Sequence, residues 1–225
     1  MNLYRKLKSK KKYKMHNKYL QDIYYAFRDH TMMGKRLYIQ NLVLAEQVRN
    51  IDGCIVECGV WKAGMIAGIA KLLGNGKDYI LFDSFEGLPA PKEIDGKAAL
   101  EWAIKKDSQN YYDNCKASEN DAIQTMKIAG VDSYKIYKGW FSDTLPNFEC
   151  PSGIALLRLD ADWYESVMIC LDYLFPKVCK DGLIVIDDYH LWDGCCRAVH
   201  DYLSRHSSTT RINHNDGLCY LKKVD

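Results

Sequence analysis

From Cys54 onward, short apolar runs alternate with longer stretches whose apolar positions recur at helical spacing. Cys54-Ile-Val-Glu-Cys58 ends at Gly59, which predicts a strand closed by a tight turn. Ala63–Leu73 then reads as a helix, and Tyr79–Phe82 as a second strand stopped by Asp83. Further strands are predicted over Tyr134–Tyr137, Ile154–Leu159 and Leu183–Ile186, with helices between them that include Val167–Phe175 and Cys195–His206. Ser118 followed three residues later by Asp121 has the pattern of a capping box and opens another helix. Upstream, Leu20, Ile23, Tyr24 and Phe27 keep helical spacing, and Leu37, Leu42, Val43, Ala45 and Val48 do so less strictly. Residues 17–49 therefore read as two helices, stopped by Gly53. At the far end, Thr209–Asn213 and Leu218–Lys222 flank Asn215-Asp216-Gly217, a hairpin turn signal. Strands that alternate with helices imply a parallel sheet with right-handed crossovers, here completed by an antiparallel terminal hairpin. In such a Rossmann-like α/β fold, ligands bind at the carboxyl ends of the strands.

Composition narrows the reading. A chain of 225 residues, 48% hydrophobic, is long enough for one α/β domain and short for two. No apolar run is long enough for a transmembrane segment. Residues 1–20 carry eight Lys and Arg and no acid, which leaves 23 basic against 29 acidic residues in the remainder. That acidic body argues against nucleic acid as the main substrate. Residues 1–20 are expected to be a solvated, flexible basic tail, with no apolar stretch behind it to make a secretory signal. Residues 21–225 form the expected domain, with a helical part at 21–52. The long polar segment 89–116, with a helical stretch at Ala98–Lys106, is a candidate lid; its Pro89, Pro91, Trp102, Tyr111 and Tyr112 suit either sugar stacking or core packing. Nine scattered cysteines without a CxxC pair read as reduced thiols packed as small hydrophobes, the usage of a cytoplasmic protein. The adjacent Cys195 and Cys196 read as partly buried thiols on a helix.

Two groups of residues carry candidate chemistry. Glu57-Cys-Gly59-Val-Trp-Lys-Ala-Gly64 lies at a strand-to-helix turn, where glycine lets a ligand approach the backbone. GxGxxG and the phosphate-cradling P-loop are both missing. The acid before Gly59 suits a ligand with a cationic or hydroxyl-bearing group, which favours S-adenosylmethionine over a dinucleotide. Asp83, 26 residues beyond Glu57, stands where an acid commonly meets ribose hydroxyls. An ordinary strand–turn–helix with a solvated acid is the alternative. The second group is Asp160 and Asp162 after the fourth predicted strand, with Asp187 and Asp188 after the fifth. Adjacent strands about 4.8 Å apart bring all four together. Carboxylates so crowded raise one another's pKa, a conflict that a Mg²⁺ ion bound by oxygen ligands removes. The alternative is a set of separate helix caps and loop acids.

Longer strings then match a known family. Ile55-Val-Glu-Cys-Gly-Val-Trp-Lys62, Phe82-Asp-Ser-Phe-Glu-Gly-Leu-Pro89, Gly139-Trp-Phe-Ser-Asp-Thr-Leu-Pro146, Arg158-Leu-Asp-Ala-Asp-Trp-Tyr-Glu-Ser166 and Val185-Ile-Asp-Asp-Tyr189 occur in this order. With Trp192, Gly194 and Arg197-Ala-Val199 they resemble the macrocin O-methyltransferase family, whose members methylate sugar hydroxyls of macrolides and aminocoumarins. The resemblance implies a seven-stranded methyltransferase sheet, S-adenosylmethionine and Mg²⁺ as cofactors, a glycan or glycosylated small-molecule acceptor, and a dimer or higher oligomer. By the same resemblance Glu57 and Gly59 would line the methionine end of the cofactor, and Asp83 and Ser84 its ribose. Gly139 and Trp140 would flank the adenine, Asp160, Asp187 and Asp188 would hold the metal, and Asp162 would be the general base. The chain departs from the pattern at Ala63 and Met65. His190 also replaces a frequent glycine, and stands either as a second catalytic group beside the acids or as a surface histidine. A catechol-type O-methyltransferase and a catalytically inactive protein of the same fold are the rival functions, with an NAD-linked oxidoreductase more distant.

Overall fold

The computed structural model describes residues 2–107 and 111–224, apart from the side chains of residues 2–13 and Tyr112. Its centre is set by two strands in which every residue is buried, β1 (Cys54–Cys58) and β4 (Ile154–Leu159). Such strands bury both faces, so helices must cover both sides of the sheet. The others are β2 (Tyr79–Asp83), β3 (Tyr134–Lys138), β5 (Val178–Ile186), β6 (Ile212–Asn215) and β7 (Leu218–Lys222). The sheet order is β3-β2-β1-β4-β5-β7-β6, with β7 antiparallel to both neighbours and the other pairs parallel. The Rossmann-like, mostly parallel sheet with an antiparallel terminal hairpin is therefore the observed fold.

The helices are α1 (Asn2–Phe27), α2 (Lys35–Gln47), α3 (Gly64–Leu73), α4 (Lys97–Ile104), α5 (Tyr112–Cys115), α6 (Glu119–Ala129), α7 (Phe141–Thr144), α8 (Tyr164–Leu174) and α9 (Asp193–Arg205). One core layer joins α1, α2, α3 and α6 to the sheet through Leu20, Phe27, Leu42, Ile66 and Met126. The opposite layer joins α8 and α9 through Val167, Leu171, Ala198 and Tyr202. Tyr38 of α2 is fully buried; its hydroxyl donates to the Gly64 carbonyl (2.8 Å), and its ring fills the space that a side chain at position 68 would need. The capping box forms: Ser118 Oγ accepts from the Asp121 amide and Asp121 Oδ2 from the Ser118 amide, each at 3.1 Å.

Boundaries differ from expectation where local chemistry masks the element. β5 begins five residues before Leu183, because Val178 pairs with Ile154 across an irregularity in the ladder. Asp181, inside that irregular stretch, holds a left-handed φ of 64°. The terminal turn has positive φ at both Asp216 and Gly217, the conformation that closes a two-residue hairpin. α1 continues back through the basic segment 1–20 to Asn2, while Leu20 is part of the core. In the expected lid, Trp102 of α4 packs edge-on against Trp163 and Trp192. The Tyr112 side chain and residues 108–110 lie outside the described residues. No described helix is long and apolar enough to cross a membrane.

Candidate active site

The carboxyl ends of β1, β2, β4 and β5 open into one cavity of about 360 Å³. Gly59 ends β1 with φ +83°, and a Cβ there would strike the carbonyl of Asp160. The close approach lets the Asp160 amide donate to the Cys58 carbonyl (2.9 Å), which ties the turn after β1 to the turn after β4. Ala63 has φ +61° and forms the N-cap of α3 in the left-handed conformation, one that glycine adopts more readily than alanine.

Asp83 at the end of β2 holds the same turn from the other side. Its Oδ2 accepts from the amides of Val60 and Trp61 (both 2.8 Å), and its Oδ1 from the Phe85 amide (2.7 Å). Burial pushes its carboxyl up, while these three amides oppose the shift. Ser84 is buried beside it; its Oγ donates to the Gly87 carbonyl (3.2 Å) and accepts from the Glu86 amide (3.0 Å). Gly139 and Trp140 form the far wall. Gly139 adopts φ +142° and its amide donates to the Asp83 carbonyl (2.9 Å); Trp140 is partly exposed at the rim. Glu57, Gly59, Asp83, Ser84, Gly139 and Trp140 all line the cavity.

At the floor, Arg158 is buried within β4 and organises the acids. Its Nη1 donates to Glu57 Oε1 and to Asp160 Oδ2 (2.9 Å), its Nε donates to Asn41 Oδ1 (3.1 Å), and its Nη2 lies 2.8 Å from Asp187 Oδ1. The contact with Asp187 is an ion pair without hydrogen-bond alignment, so both atoms keep an unused valence. Burial works against the guanidinium charge, but Asp187, Asp160 and Glu57 outweigh it. Glu57 is itself fully buried, its other oxygen accepting from the Ile66 amide (3.0 Å), and burial pushes its carboxyl up to about 7. In the sequence Arg158 stands only inside the string Arg158–Ser166. The available signal was a charge inside an otherwise apolar strand, which is tolerated only when paired.

Asp160, Asp187 and Asp188 are brought together as expected: one carboxylate oxygen from each lies within 4.8 Å of the others. Arg158 offsets only part of this charge. Burial pushes Asp187 up to about 6 and holds Asp188 well above the usual carboxylate range. Three carboxylate oxygens gathered in this way suit a hard divalent cation such as Mg²⁺. Asp162 stands one turn of backbone away with φ +52°; its Oδ1 accepts from Trp192 Nε1 (2.8 Å) and its amide donates to Asp188 Oδ2 (3.3 Å). Burial pushes its carboxyl up to about 7.

His190 is the exception. It is exposed, its ring packs 4.9 Å from His214 and 5.0 Å from Tyr189, and Leu191 and Trp192 take the cavity side instead. The structure does not bring it to the acids beside which it stands in sequence. Sequence reading also missed a whole wall. The link between α1 and α2 contributes His30, Met32 and Met33, seated because Gly64 leaves room for the His30 carbonyl. His30 Nδ1 meets Thr125 Oγ1 of α6 at 3.0 Å. No local pattern could show a contact between segments so far apart in the chain.

A family model described as macrocin-O-methyltransferase (TylF) matches residues 5–223. The chain is 32% identical to 8-demethyl-8-(2,3-dimethoxy-alpha-L-rhamnosyl)-tetracenomycin-C 4'-O-methyltransferase of Streptomyces olivaceus, covering 84% of this chain and 73% of that one. It is 32% identical to demethyldecarbamoylnovobiocin O-methyltransferase of Streptomyces niveus, covering 78% and 68%. Among solved structures it resembles the O-methyltransferase NovP, with a TM-score of 0.74 at 26% identity over 87% of this chain and 83% of that one. The calicheamicin methyltransferase CalS11, at 19% identity and a TM-score of 0.65 over 87% and 82%, shares the fold. Matched over nearly its whole length and carrying the family's strings around one acid-floored cavity, the chain belongs to the macrocin O-methyltransferase family.

Proposed function

We propose that this protein is an S-adenosylmethionine- and Mg²⁺-dependent O-methyltransferase whose acceptor is a hydroxyl of a sugar, glycan or glycosylated small molecule. The observation that carries the reading is the convergence of Asp160, Asp187 and Asp188 beside Asp162 at the floor of one cavity. The names of the relatives support the acceptor class: one is a methyltransferase of a rhamnosyl tetracenomycin, another a mycinamicin III 3''-O-methyltransferase from Micromonospora griseorubida.

When bound, the cofactor supplies an electrophilic methyl group, and the metal supplies charge that makes an acceptor hydroxyl more acidic. The chain's own residues do the rest. Glu57, Gly59, Asp83, Ser84, Gly139 and Trp140 shape the cofactor side, and Asp160, Asp187 and Asp188 would hold the ion. Asp162 takes the hydroxyl proton on its carboxylate as general base. Trp192 fixes that carboxylate through Oδ1 and leaves Oδ2 for the proton. Trp102, Leu191 and Trp192 give the cavity an apolar face against which the acceptor is held, and positioning of this kind is a large part of barrier reduction.

The test is an acceptor screen with S-adenosylmethionine and Mg²⁺, comparing rhamnosides and other deoxyhexosides with catechols. Methylated glycosides are the expected products. Turnover of catechols alone would move the protein to the phenolic class, and no turnover despite cofactor binding would favour an inactive relative.

A further inference from the structure

At the end of the sheet remote from the acids, two cysteines 96 residues apart in the chain meet. Cys54 opens β1 and is buried, while Cys150 lies in the partly exposed turn before β4; their sulfurs are 2.9 Å apart. Backbone bonds hold both sides of the pair. The Cys54 amide donates to the Gly153 carbonyl, and the Gly153 amide donates to the Cys150 carbonyl, each at 2.9 Å. The turn is thus closed on itself and pinned to the first residue of β1. A cavity of about 270 Å³, lined by both cysteines with Tyr134, Tyr137 and Phe148, opens beside them.

We propose that Cys54 and Cys150 form a redox dithiol, which closes to a disulfide when a hydroperoxide oxidises Cys150. The two thiols have the unlike characters that this chemistry needs. The hydrogen bond from Cys54 holds the Cys150 thiol down, to about 7, whereas the same bond and burial push the Cys54 thiol well up. A partly exposed thiol with a lowered pKa is the one that reacts first. When protonated, Cys150 donates to the Gly153 carbonyl (3.0 Å), a third contact that fixes its place in the turn.

In the first step the Cys150 sulfur attacks the hydroperoxide. An S–O bond forms, the O–O bond breaks, and an alcohol or water leaves with the Cys150 sulfenic acid behind. In the second, Cys54 sulfur attacks that sulfenic sulfur. The S–S bond forms, the S–O bond breaks, and hydroxide leaves as water with the Cys54 proton. Two electrons pass from the thiol pair to the peroxide. Cys179 touches the same turn, its Sγ 3.7 Å from the Ser152 carbonyl, but no sulfur contact links it to the pair. The cross-link would close a loop of nearly a hundred residues, the class of loop for which chain-entropy stabilisation is largest.

The experiment treats the full chain with hydrogen peroxide, blocks free thiols by alkylation, and maps peptides by mass spectrometry. The expected first product joins Cys54 to Cys150, is reversed by dithiothreitol, and raises Tm by about 5 °C or more. Cys54→Ser removes the resolving thiol but keeps a hydrogen-bond donor beside Cys150, so Cys150 should then accumulate as a sulfenic acid that dimedone traps. Cys150→Ser should abolish both the cross-link and the Tm rise. A first cross-link through Cys179 or another pair, or both cysteines staying open to alkylation while the protein is oxidised elsewhere, would overturn the proposal. So would dimedone labelling of Cys150 that is equal with and without Cys54.

Discussion

Asp162 illustrates how one residue can satisfy a backbone and a chemical demand together. Its φ of +52° is a conformation that Asp and Asn tolerate better than other non-glycine residues. Asp162→Asn therefore keeps the turn and the Trp192 hydrogen bond while losing the proton acceptor. We expect kcat to fall by about 10²-fold or more, with the thermal shift by S-adenosylhomocysteine unchanged; retained turnover would remove the base assignment. Trp192 is a positioning residue for the same carboxylate. Trp192→Phe keeps a ring against Trp102 and Trp163 but deletes the donor. A hydrogen bond to a charged group contributes about 1.5 kcal/mol or more, so kcat should fall about tenfold. Cofactor affinity should stay the same, as read by kinetics beside a binding titration.

Strand β4 carries the main structural tension of the molecule. It is wholly buried, yet holds Arg158 against Glu57, Asp160 and Asp187. Removing one member of such a buried network leaves uncompensated charge, a loss of about 3–5 kcal/mol. Arg158→Met, similar in length, is expected to cost that much in denaturant unfolding, with the midpoint moving and the slope kept. A loss under about 1 kcal/mol would show that the acids are neutral in the native protein and that the guanidinium does not hold them. The turn after β1 depends on β4 in the same way, because Gly59 meets the Asp160 carbonyl where a side chain has no room. Site geometry is thus a property of the β1–β4 pair.

For the whole molecule, the site joins the ends of four strands and the link between the first two helices, so a ligand there holds both layers together. Saturation at about a hundred times the dissociation constant stabilises a fold by roughly 2.7 kcal/mol, on the order of 5–10 °C for a domain of this size. S-adenosylhomocysteine is expected to raise Tm by that amount. Mg²⁺ should add a further shift that disappears in Asp160→Asn while the nucleoside shift persists. A Mg²⁺ shift that survives in Asp160→Asn would place the ion elsewhere, and the absence of any nucleoside shift would sink the cofactor assignment.

What the sequence determined by itself is what local chemistry writes into short windows. The alternation of apolar runs and helical spacing marked the strands and most helices, Asn215-Asp216-Gly217 marked the hairpin, and the acids after two neighbouring strands marked the cluster of Asp160, Asp187 and Asp188. Strand ends are legible because parallel strands all finish at the same edge of the sheet, and strands consecutive in the chain, such as β4 and β5, are usually neighbours. Only the tertiary structure decided the partners of Arg158, the wall built by His30, Met32 and Met33, the outward place of His190, and the meeting of Cys54 with Cys150. Most of these contacts join segments tens of residues apart, as Arg158 does with Glu57 and Cys54 with Cys150. Their closeness is fixed by how layers pack and turns close in three dimensions, and periodicity along the chain carries no record of it.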